Sequence, residues 1–435
     1  MTDKTQQPVS TTSAPSRRDF LASTTAAAVG GTLVSALANP PAVHAAGSDI
    51  LKVGLIGCGG RGSGAALNAM HADENAQLTV MCDLFPDYLQ HCRDNISPQL
   101  GKQYAVKDDH CFTGFDGYKK VMESDVDVVL LCTTPAFRPV HLKAALEAGK
   151  HVFCEKPVAV DAPGVRSCLQ SAALASAKNL NLVSGLCWRY DYGVKATMEK
   201  ILGGAIGDIV TIQENYLTNP LWYREPKPEW TDMENQCRNW YYYTWLSGDH
   251  NVEQHIHSLD KAMWLNRDVP PIACFGMGGR QQRTEAKWGN IYDHHAVCYE
   301  WASGVKAFAF TRQMKDCATD VEDYVWGTKG NARVLKHEII SGTDVWKYKG
   351  DKPSMYDVEH VELFKAIRSG KPINNGIYMC YSTLLAIMGR MACYTGQKVT
   401  WEMAMNSQES LVPEKLEWGP GPKVEIAVPG ITKFV

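Results

Sequence analysis

The segment Leu51-Lys52-Val53-Gly54-Leu55-Ile56 is followed directly by Gly57-Cys58-Gly59-Gly60-Arg61-Gly62. The first six residues form a short apolar run, and helix-forming residues follow the glycines from Ala65 to Met70. An apolar run, a glycine-rich turn and a helix in this order predict the first βα unit of an open α/β sheet. In such a turn Gly57 permits the tight bend, Gly59 lets backbone approach a diphosphate, and Gly62 lets the helix pack closely on the strand. We therefore expect residues 57–62 to cradle the diphosphate of a dinucleotide at the helix N-terminus.

The second predicted strand, Gln77 to Cys82, closes on an acidic residue, Asp83. Asp83 stands 26 positions after Gly57, where a carboxylate can accept hydrogen bonds from the adenosine ribose. It would repel a 2′-phosphate, and no arginine follows it directly, so NAD is favoured over NADP. The alternative is that Asp83 only caps the strand end or lies in a solvated loop.

The next part of the chain alternates strands with helices as far as residue 185. The predicted elements are the strand Val126 to Cys132 before Thr133-Thr134-Pro135, the helix His141 to Ala148, the strand His151 to Cys154, the helix Ala162 to Ala177 and the strand Leu180 to Leu186. The pattern leaves the third βα step, between Asn95 and Thr113, undefined. Apolar strands alternating with helices predict a doubly wound α/β domain with a parallel sheet over residues 46–185.

The pattern changes after residue 186. The strand-like runs there are Ile209 to Tyr216, Ile272 to Met277, His295 to Trp301, Lys306 to Thr311, Asp323 to Trp326 and Ala332 to Lys336. They lack intervening helices of crossover length, so residues 186–435 are predicted to form an α+β domain with a large, open, mostly antiparallel sheet. Its predicted helices are Asn251 to Leu265, Val358 to Ser369 and Tyr381 to Tyr394.

The first 45 residues have the composition of a targeting segment. Paired arginines in Ser16-Arg17-Arg18-Asp19-Phe20-Leu21 precede a weakly apolar stretch and the small-residue site Val43-His44-Ala45. This order predicts a twin-arginine signal and a periplasmic protein, the alternatives being a membrane anchor or a disordered leader. Because nicotinamide cofactors are made in the cytoplasm, an exported protein must carry its own, so we expect NAD to be tightly bound.

The composition favours a small-molecule ligand. About 390 residues remain after the leader, enough for two domains, and the net charge of −3 offers no basic field for nucleic acid or anionic lipid. The fourteen cysteines are scattered without disulfide-type spacing and are expected to be mainly buried thiols. Several of the twelve tryptophans lie between Trp222 and Trp264, where they could stack on sugar rings or simply fill a core.

Two segments carry candidate catalytic groups. Lys156 lies in Glu155-Lys156-Pro157, at the carboxyl end of a predicted strand. Its ammonium could stabilise a developing alkoxide there. The alternative interpretation is an ordinary surface lysine without a catalytic role. On a helix Glu253 and His257 would share a face, and His257 could take a hydroxyl proton. Histidines 250, 255 and 257 could instead be structural or bind a metal, but their spacing matches no common zinc motif, so no metal is predicted.

These motifs together resemble the glucose-fructose oxidoreductase, inositol dehydrogenase and rhizopine catabolism family, Gfo/Idh/MocA. The glycine turn with Asp83, Thr133-Thr134-Pro135, Glu155-Lys156-Pro157 and the helix bearing Glu253, His257 and Asp260 occur in the family's order. The resemblance implies an N-terminal Rossmann domain, a C-terminal sheet bearing the substrate site, and NAD-dependent oxidoreduction of sugars or cyclic polyols. It also implies a homodimer or homotetramer.

The resemblance implies roles for individual residues. Lys156 matches the catalytic lysine and His257 the proton-transfer histidine, whereas Glu253 replaces the usual aspartate and His255 the usual glycine. The expected cofactor contacts are Gly57, Gly59, Gly60, Arg61, Gly62, Asp83, Thr133, Thr134, Pro135, Glu155 and Lys156. The expected substrate contacts are Arg189, Arg238, Trp240, Tyr243, His255 and Asp260. Arg238, Trp240 and Tyr243 could instead only pack in the protein interior. Two other functions remain open: an NAD-dependent glycosidase that oxidises its substrate transiently, and a sugar-binding protein without turnover.

Overall fold

The computed structural model describes residues 50–435. The predicted signal, residues 1–45, therefore lies outside the described residues. The contacts within residues 50–435 do not divide at residue 185, so the domain boundary there stays a prediction. No helix between residues 50 and 435 is long and apolar enough to cross a membrane.

A parallel sheet occupies the N-terminal part. Its strands are β1 (Leu51–Ile56), β2 (Ala76–Asp83), β3 (Cys111–Thr113), β4 (Val128–Leu131), β5 (His151–Cys154) and β6 (Leu182–Ser184), in the order β3-β2-β1-β4-β5-β6. Its helices are α1 (Gly60–Ala72), α2 (Pro86–Leu100), α3 (Gly117–Glu123), α4 (Arg138–Glu147) and α5 (Ala162–Ala177). All strand pairs are parallel, which confirms the doubly wound prediction. The undefined stretch between Asn95 and Thr113 contains the end of α2 and the short edge strand β3.

The chain then forms a larger mixed sheet with helices on one face. Its elements are α6 (Tyr192–Leu202), β7 (Ile209–Thr218), α7 (Asp232–Arg238), α8 (Thr244–Ser247), α9 (His250–Glu253), α10 (Ile256–Leu265), β8 (Ala273–Gly279), β9 (His294–Glu300), β10 (Lys306–Gln313), β11 (Asp320–Gly327), β12 (Asn331–Arg333), β13 (Glu338–Ser341), β14 (Asp344–Lys347), α11 (Met355–Ser369), α12 (Gly376–Thr395), β15 (Val399–Thr400) and α13 (Trp401–Asn406). The order of its strands is β14-β13-β12-β11-β7-β10-β9-β8-β15. Only β7 and β10 pair in parallel among these strands of the described chain, so the expected mostly antiparallel sheet is confirmed.

The two faces of the large sheet differ in burial. Side chains of one face, such as Ile212 and Ala307, are buried in a core that includes Leu259 of α10 and Leu384 of α12. On β10 the burial alternates, and Phe308 of the opposite face is 40% exposed. This period-2 alternation is expected for a sheet covered on one side only.

The predicted helix Asn251 to Leu265 is wrong as a single element. It divides into α9 and α10, with Gln254 and His255 between them. Here the His255 amide donates to the His250 carbonyl at 3.1 Å, one residue further back than in a regular α-helix. The apolar periodicity continues through the break, which is why the sequence pattern did not reveal it.

Candidate active site

The glycine turn connects β1 to α1 with a geometry that other residues could not adopt. Gly57 has φ = 100°, and a Cβ at Gly62 would lie 1.7 Å from the Gly57 carbonyl oxygen. A Cβ at Gly59 or Gly60 would meet no atom within 4 Å. Gly57 and Gly62 thus fix the shape of the turn. Gly59 and Gly60 leave space for a ligand beside the N-terminus of α1. Such a cradle fits the diphosphate of a dinucleotide.

Asp83 lies at the end of β2 beside this turn. Its carboxylate accepts hydrogen bonds from the Cys58 amide at 2.6 Å and from the Phe85 amide at 2.8 Å. Burial raises the pKa of Asp83 to about 6, against the opposing effect of these amide donors. The remaining lone pairs of an ionised carboxylate can accept ribose hydroxyls.

Two cavities meet at the carboxyl edge of the parallel sheet. A cleft of about 480 Å³ contains the glycine turn at one side, and an apolar slot of about 260 Å³ opens beyond β2 and β3. Asp83, Leu84, Thr133 and Phe137 line both cavities. The two spaces are therefore neighbouring parts of one elongated site, as an extended dinucleotide requires.

Most of the predicted cofactor residues line this cleft. Those lining it are Gly57, Gly59, Gly60, Arg61, Gly62, Asp83, Thr133, Thr134, Glu155 and Lys156. Pro135 does not belong to the lining; it is buried at the start of a short 3-10 turn behind Thr134. Its contribution is to the shape of the loop after β4.

Arg61 is held by two carboxylates. Its Nε donates to Glu155, and its Nη2 lies 3.0 Å from Glu359 Oε1 on α11. Burial opposes ionisation of Glu155, but the Arg61 guanidinium holds its pKa below the ordinary value. Burial and the nearby Glu155 charge raise the pKa of Glu359. Arg61 thus links the glycine turn to α11. The buried Glu359 was not identified from the sequence as part of the site.

Lys156 and Glu253 form the central contact across the cleft. Lys156 Nζ donates to Glu253 Oε1 at 3.0 Å and to the Glu253 carbonyl oxygen at 2.7 Å. The side chains are only 14% and 15% exposed. The break between α9 and α10 leaves this carbonyl available, because the His257 amide donates to Gln254 instead. The corrected helix geometry thus helps to position the lysine.

His257 lines the same cleft as Lys156. Its Nδ1 is buried and has no hydrogen-bond partner among residues 50–435. Burial, followed by the charges of Lys156, Lys261 and Arg61, lowers the pKa of His257 well below its usual value. A neutral imidazole can accept a proton from a hydroxyl, and the neighbouring ammonium can stabilise the resulting alkoxide.

The predicted substrate residues divide into one in the lining and five outside it. Trp240 lines the cleft, whereas Arg189, Arg238, Tyr243, His255 and Asp260 do not. Arg238 stands close behind the wall: it pairs with Asp87 and Glu234 and lies 4.0 Å from the centre of the Phe85 ring. Tyr243 is buried, and its hydroxyl contacts Asn235.

Arg189 and Asp260 are a correction of the substrate-contact prediction. The Arg189 guanidinium binds Asp260 at 2.9–3.0 Å and Asp268 at 2.5 Å, and Ser382 donates to Asp260. Tyr378 covers the guanidinium at 3.9 Å from its ring centre. Both charges are thus neutralised inside the protein, since buried charges require close partners.

His255 is also corrected. It is fully buried, with Nδ1 3.1 Å from Asn251 Oδ1. The three histidines that suggested a metal do not form a common centre. Within residues 50–435 the group that could hold an ion is Asp249, His250 and His295, whose ligand atoms lie within 4.8 Å of one another. Asp249 there already accepts hydrogen bonds from the Tyr292 amide and the Tyr394 hydroxyl.

Several cleft residues were not identified individually from the sequence. Trp222, Arg224 and Tyr356 all line the cleft. The Arg224 guanidinium lies 4.1 Å from the centre of the Trp222 ring, and its amide donates to Asn239. The tryptophan cluster beginning at Trp222 was the available signal, but no spacing rule shows which of its members face the cleft.

Comparisons with known proteins agree with this architecture. The profile of the GFO_IDH_MocA oxidoreductase family, NAD-binding Rossmann fold, matches residues 51–184. An inositol 2-dehydrogenase of Pseudomonas savastanoi pv. phaseolicola is 30% identical over 330 residues, 74% of this chain and 87% of that protein. A myo-inositol 2-dehydrogenase of Thermotoga maritima is 25% identical over 336 residues, 74% of this chain and 90% of the relative.

The fold is also found in solved structures. An aldose-aldose oxidoreductase from Caulobacter crescentus superposes with a TM-score of 0.62 at 18% identity, covering 81% of this chain and 99% of that one. The family profile carries the NAD-binding assignment, and the glycine turn and Asp83 fit that cofactor. The chain belongs to the Gfo/Idh/MocA family of NAD-dependent oxidoreductases.

Proposed function

We propose that this protein oxidises a CH–OH group of a sugar or cyclic polyol and reduces the corresponding ketone in reverse. The observation that carries the proposal is that Lys156 and His257 line one cleft with the glycine turn. The names of the inositol 2-dehydrogenases among its relatives favour a cyclic polyol. Bound NAD supplies the hydride acceptor in this chemistry.

The protein residues have distinct tasks in this reaction. His257 accepts the proton of the reacting hydroxyl, and the Lys156 ammonium stabilises the alkoxide while the C–H hydrogen leaves as hydride. Glu253 orients Lys156 through both its carboxylate and its backbone carbonyl. Trp222 and Trp240 offer flat surfaces at the cleft wall for a ring substrate.

A substrate panel tests the activity. Inositol stereoisomers, aldoses and their glycosides are incubated with the protein, and both ketone formation and released aglycone are measured. Ketone formation coupled to nicotinamide reduction is the expected result. Release of free sugar from a glycoside with no net redox change would instead identify the glycosidase reaction.

We further propose that the protein is exported to the periplasm with NAD already bound. The support is the paired-arginine leader, since a twin-arginine route carries proteins that have folded around a cofactor. Without a soluble NAD pool, a second carbonyl compound would take the hydride back, so that one polyol is oxidised and another carbonyl reduced in each cycle. Replacing Arg17 and Arg18 with lysine should move the protein from the periplasmic to the cytoplasmic fraction; an unchanged distribution would exclude this route.

We also propose self-association through the outer face of the large sheet. Phe275, Met277 and Phe308 are 46%, 72% and 40% exposed, and Phe275 and Phe308 are both paired with Cys298 of the intervening strand β9. A contiguous exposed apolar patch of this kind marks an interface. Light scattering should show a dimer or tetramer that Met277→Glu/Phe308→Glu converts to monomer. A parent protein that is already monomeric would refute the proposal.

A further inference from the structure

The C-terminal segment, residues 407–435, follows α13 without forming a helix or strand. Hydrogen bonds nevertheless fix it along its length. Leu411 donates through its amide to Asp161 at 2.9 Å, the Tyr292 hydroxyl donates to the Ala427 carbonyl at 2.9 Å, and Gly430 donates through its amide to Thr395 at 2.9 Å. The segment is therefore a defined layer on the protein, held on both sides of its central part.

The central part of this segment crosses the parallel-sheet domain. Trp418 packs against Phe115, with ring centres 4.8 Å apart, and against Phe85 at 5.7 Å. Phe85 follows β2 and Phe115 follows β3, at the edge where the cofactor site opens. The Gly419 carbonyl then accepts the Met233 amide at 3.0 Å, which anchors the segment to α7.

The residues that precede Trp418 in this segment line the apolar slot. Val412, Glu414 and Leu416 line it together with Phe137 and Tyr118. The slot adjoins the cleft at Asp83, the residue placed to bind the adenosine ribose. A mainly apolar space that adjoins the ribose-binding carboxylate suits a planar heteroaromatic base.

We propose that residues 411–419 are a retaining strap that encloses the adenosine half of the dinucleotide. This inference rests on the proposed NAD-dependent function and gives a structural cause for the retained cofactor. The glycine turn and Asp83 bind the dinucleotide from the sheet side, and the strap covers the base from the other side. Release of the cofactor then requires the strap to detach from Phe85 and Phe115, which slows dissociation.

Matched variants within one segment test the strap. Leu416→Ser/Trp418→Ala removes the wall and the aromatic anchor. Val424→Ser/Ile426→Ser changes two side chains of the same segment that are 40% and 51% exposed and do not line the slot. If the double variant Leu416→Ser/Trp418→Ala does not fold, the single variant Trp418→Ala takes its place as the test of the strap. The unfolding temperatures of the ligand-free proteins establish that the variants are folded.

The decisive readout is the dissociation rate of the cofactor. Protein loaded with isotopically labelled NAD is chased with excess ADP-ribose, and the retained label is followed over time. The strap variants should lose label at least about tenfold faster than the parent, while the control keeps the parent rate, since interface changes act mainly on dissociation. Equal rates in the strap variant and the parent would overturn the proposal.

A second measurement separates the strap from the retained-cofactor proposal. If the parent is isolated without NAD, that broader proposal fails, but equilibrium titration still tests the strap. The strap variants should then bind ADP-ribose at least about tenfold more weakly, with unchanged affinity for nicotinamide mononucleotide, because the strap contacts only the adenosine half. Unchanged ADP-ribose affinity, or equal losses for both probes, would overturn it.

Discussion

The Lys156 side chain is fixed by two acceptors from a single residue, Glu253, so its ammonium has a defined position in the cleft. Lys156→Met should lower kcat for polyol oxidation by about 10²–10³-fold, because one electrostatic donor to the developing oxyanion is lost. Steady-state kinetics on NAD-loaded protein measure this effect. Lys143→Met, at a 61% exposed position on α4, is the control and should leave kcat unchanged. Parent-like kcat in the Lys156 variant would exclude its catalytic role.

The neutral state of His257 predicts a pH profile. Because burial and the Lys156 charge lower the pKa of His257 below 6.5, the imidazole stays unprotonated and able to accept a proton at neutral pH. We expect kcat/KM for oxidation to stay level as the pH falls to 6.5 and to decline only below it. In Lys156→Met the residual activity should decline at a higher pH, since removing a positive charge raises the pKa of His257. A decline in the parent centred above pH 7 would contradict the assignment.

Two glycines of the same turn should respond differently to alanine. Gly59→Ala adds a methyl group to open space and should leave the unfolding temperature unchanged while weakening NAD binding at least about tenfold. Gly62→Ala drives a methyl group into the Gly57 carbonyl and should cost about 2 kcal/mol of stability. Calorimetry of binding and of unfolding separates the two effects. If Gly62→Ala were as stable as the parent, or if Gly59→Ala bound NAD with unaltered affinity, residues 57–62 would not form the diphosphate site.

The sequence indicates which residues line the cleft where the local backbone positions them, and it does not reveal ion pairs with distant partners. The glycine turn, Asp83, Lys156 and His257 follow from strand ends and motif order. Arg189 was expected to contact substrate from the family resemblance, but its guanidinium forms ion pairs with Asp260 and Asp268. Counter-charges of this kind come from elements far along the chain, so no local pattern reveals them.

Among the helices and strands, too, those determined by local sequence were predicted and others were missed. The helix Ala162–Ala177 was predicted with its observed bounds, because Asp161 caps it through a hydrogen bond to the Gly164 amide. The break between α9 and α10 was missed because the apolar periodicity continues through it. Strands β13 and β14 were also missed. Each has four residues, and the alternation of apolar and polar side chains over so few positions does not indicate a strand.

Asp249 is the residue that holds the start of α9, and it gives a stability prediction. It has φ = 80°, accepts hydrogen bonds from the amides of His250 and Tyr292, and is fully buried. Asp249→Gly keeps this backbone conformation available but removes the carboxylate, so it should lower the free energy of unfolding by about 3 kcal/mol. Asp316→Gly is the matched control, since Asp316 has φ = 60° but an 84% exposed side chain. Equal stability of the two variants in urea titration would contradict the structural role of Asp249.

In the whole molecule, residues associated with both sheets line the candidate active site. The parallel sheet contributes the glycine turn, Asp83 and Lys156, while Glu253 and His257 come from helices packed on the large sheet. The C-terminal segment then returns to the cofactor edge. Fold class was predictable because hydrophobic period and turn residues repeat over many elements. The course of residues 407–435 was not, because an irregular segment has no periodicity and is positioned only by what it contacts.

The central claim is that a resident NAD receives hydride from a polyol held by Lys156 and His257. The most direct test is to purify the protein without added nucleotide and to follow reduced-nicotinamide absorbance as each polyol is added. We predict that at least one cyclic polyol or sugar produces a rise limited by the amount of protein, with no NAD supplied, and that Lys156→Met abolishes the rapid phase. Absence of nicotinamide from the purified protein, together with turnover only when NAD is added, would contradict this account.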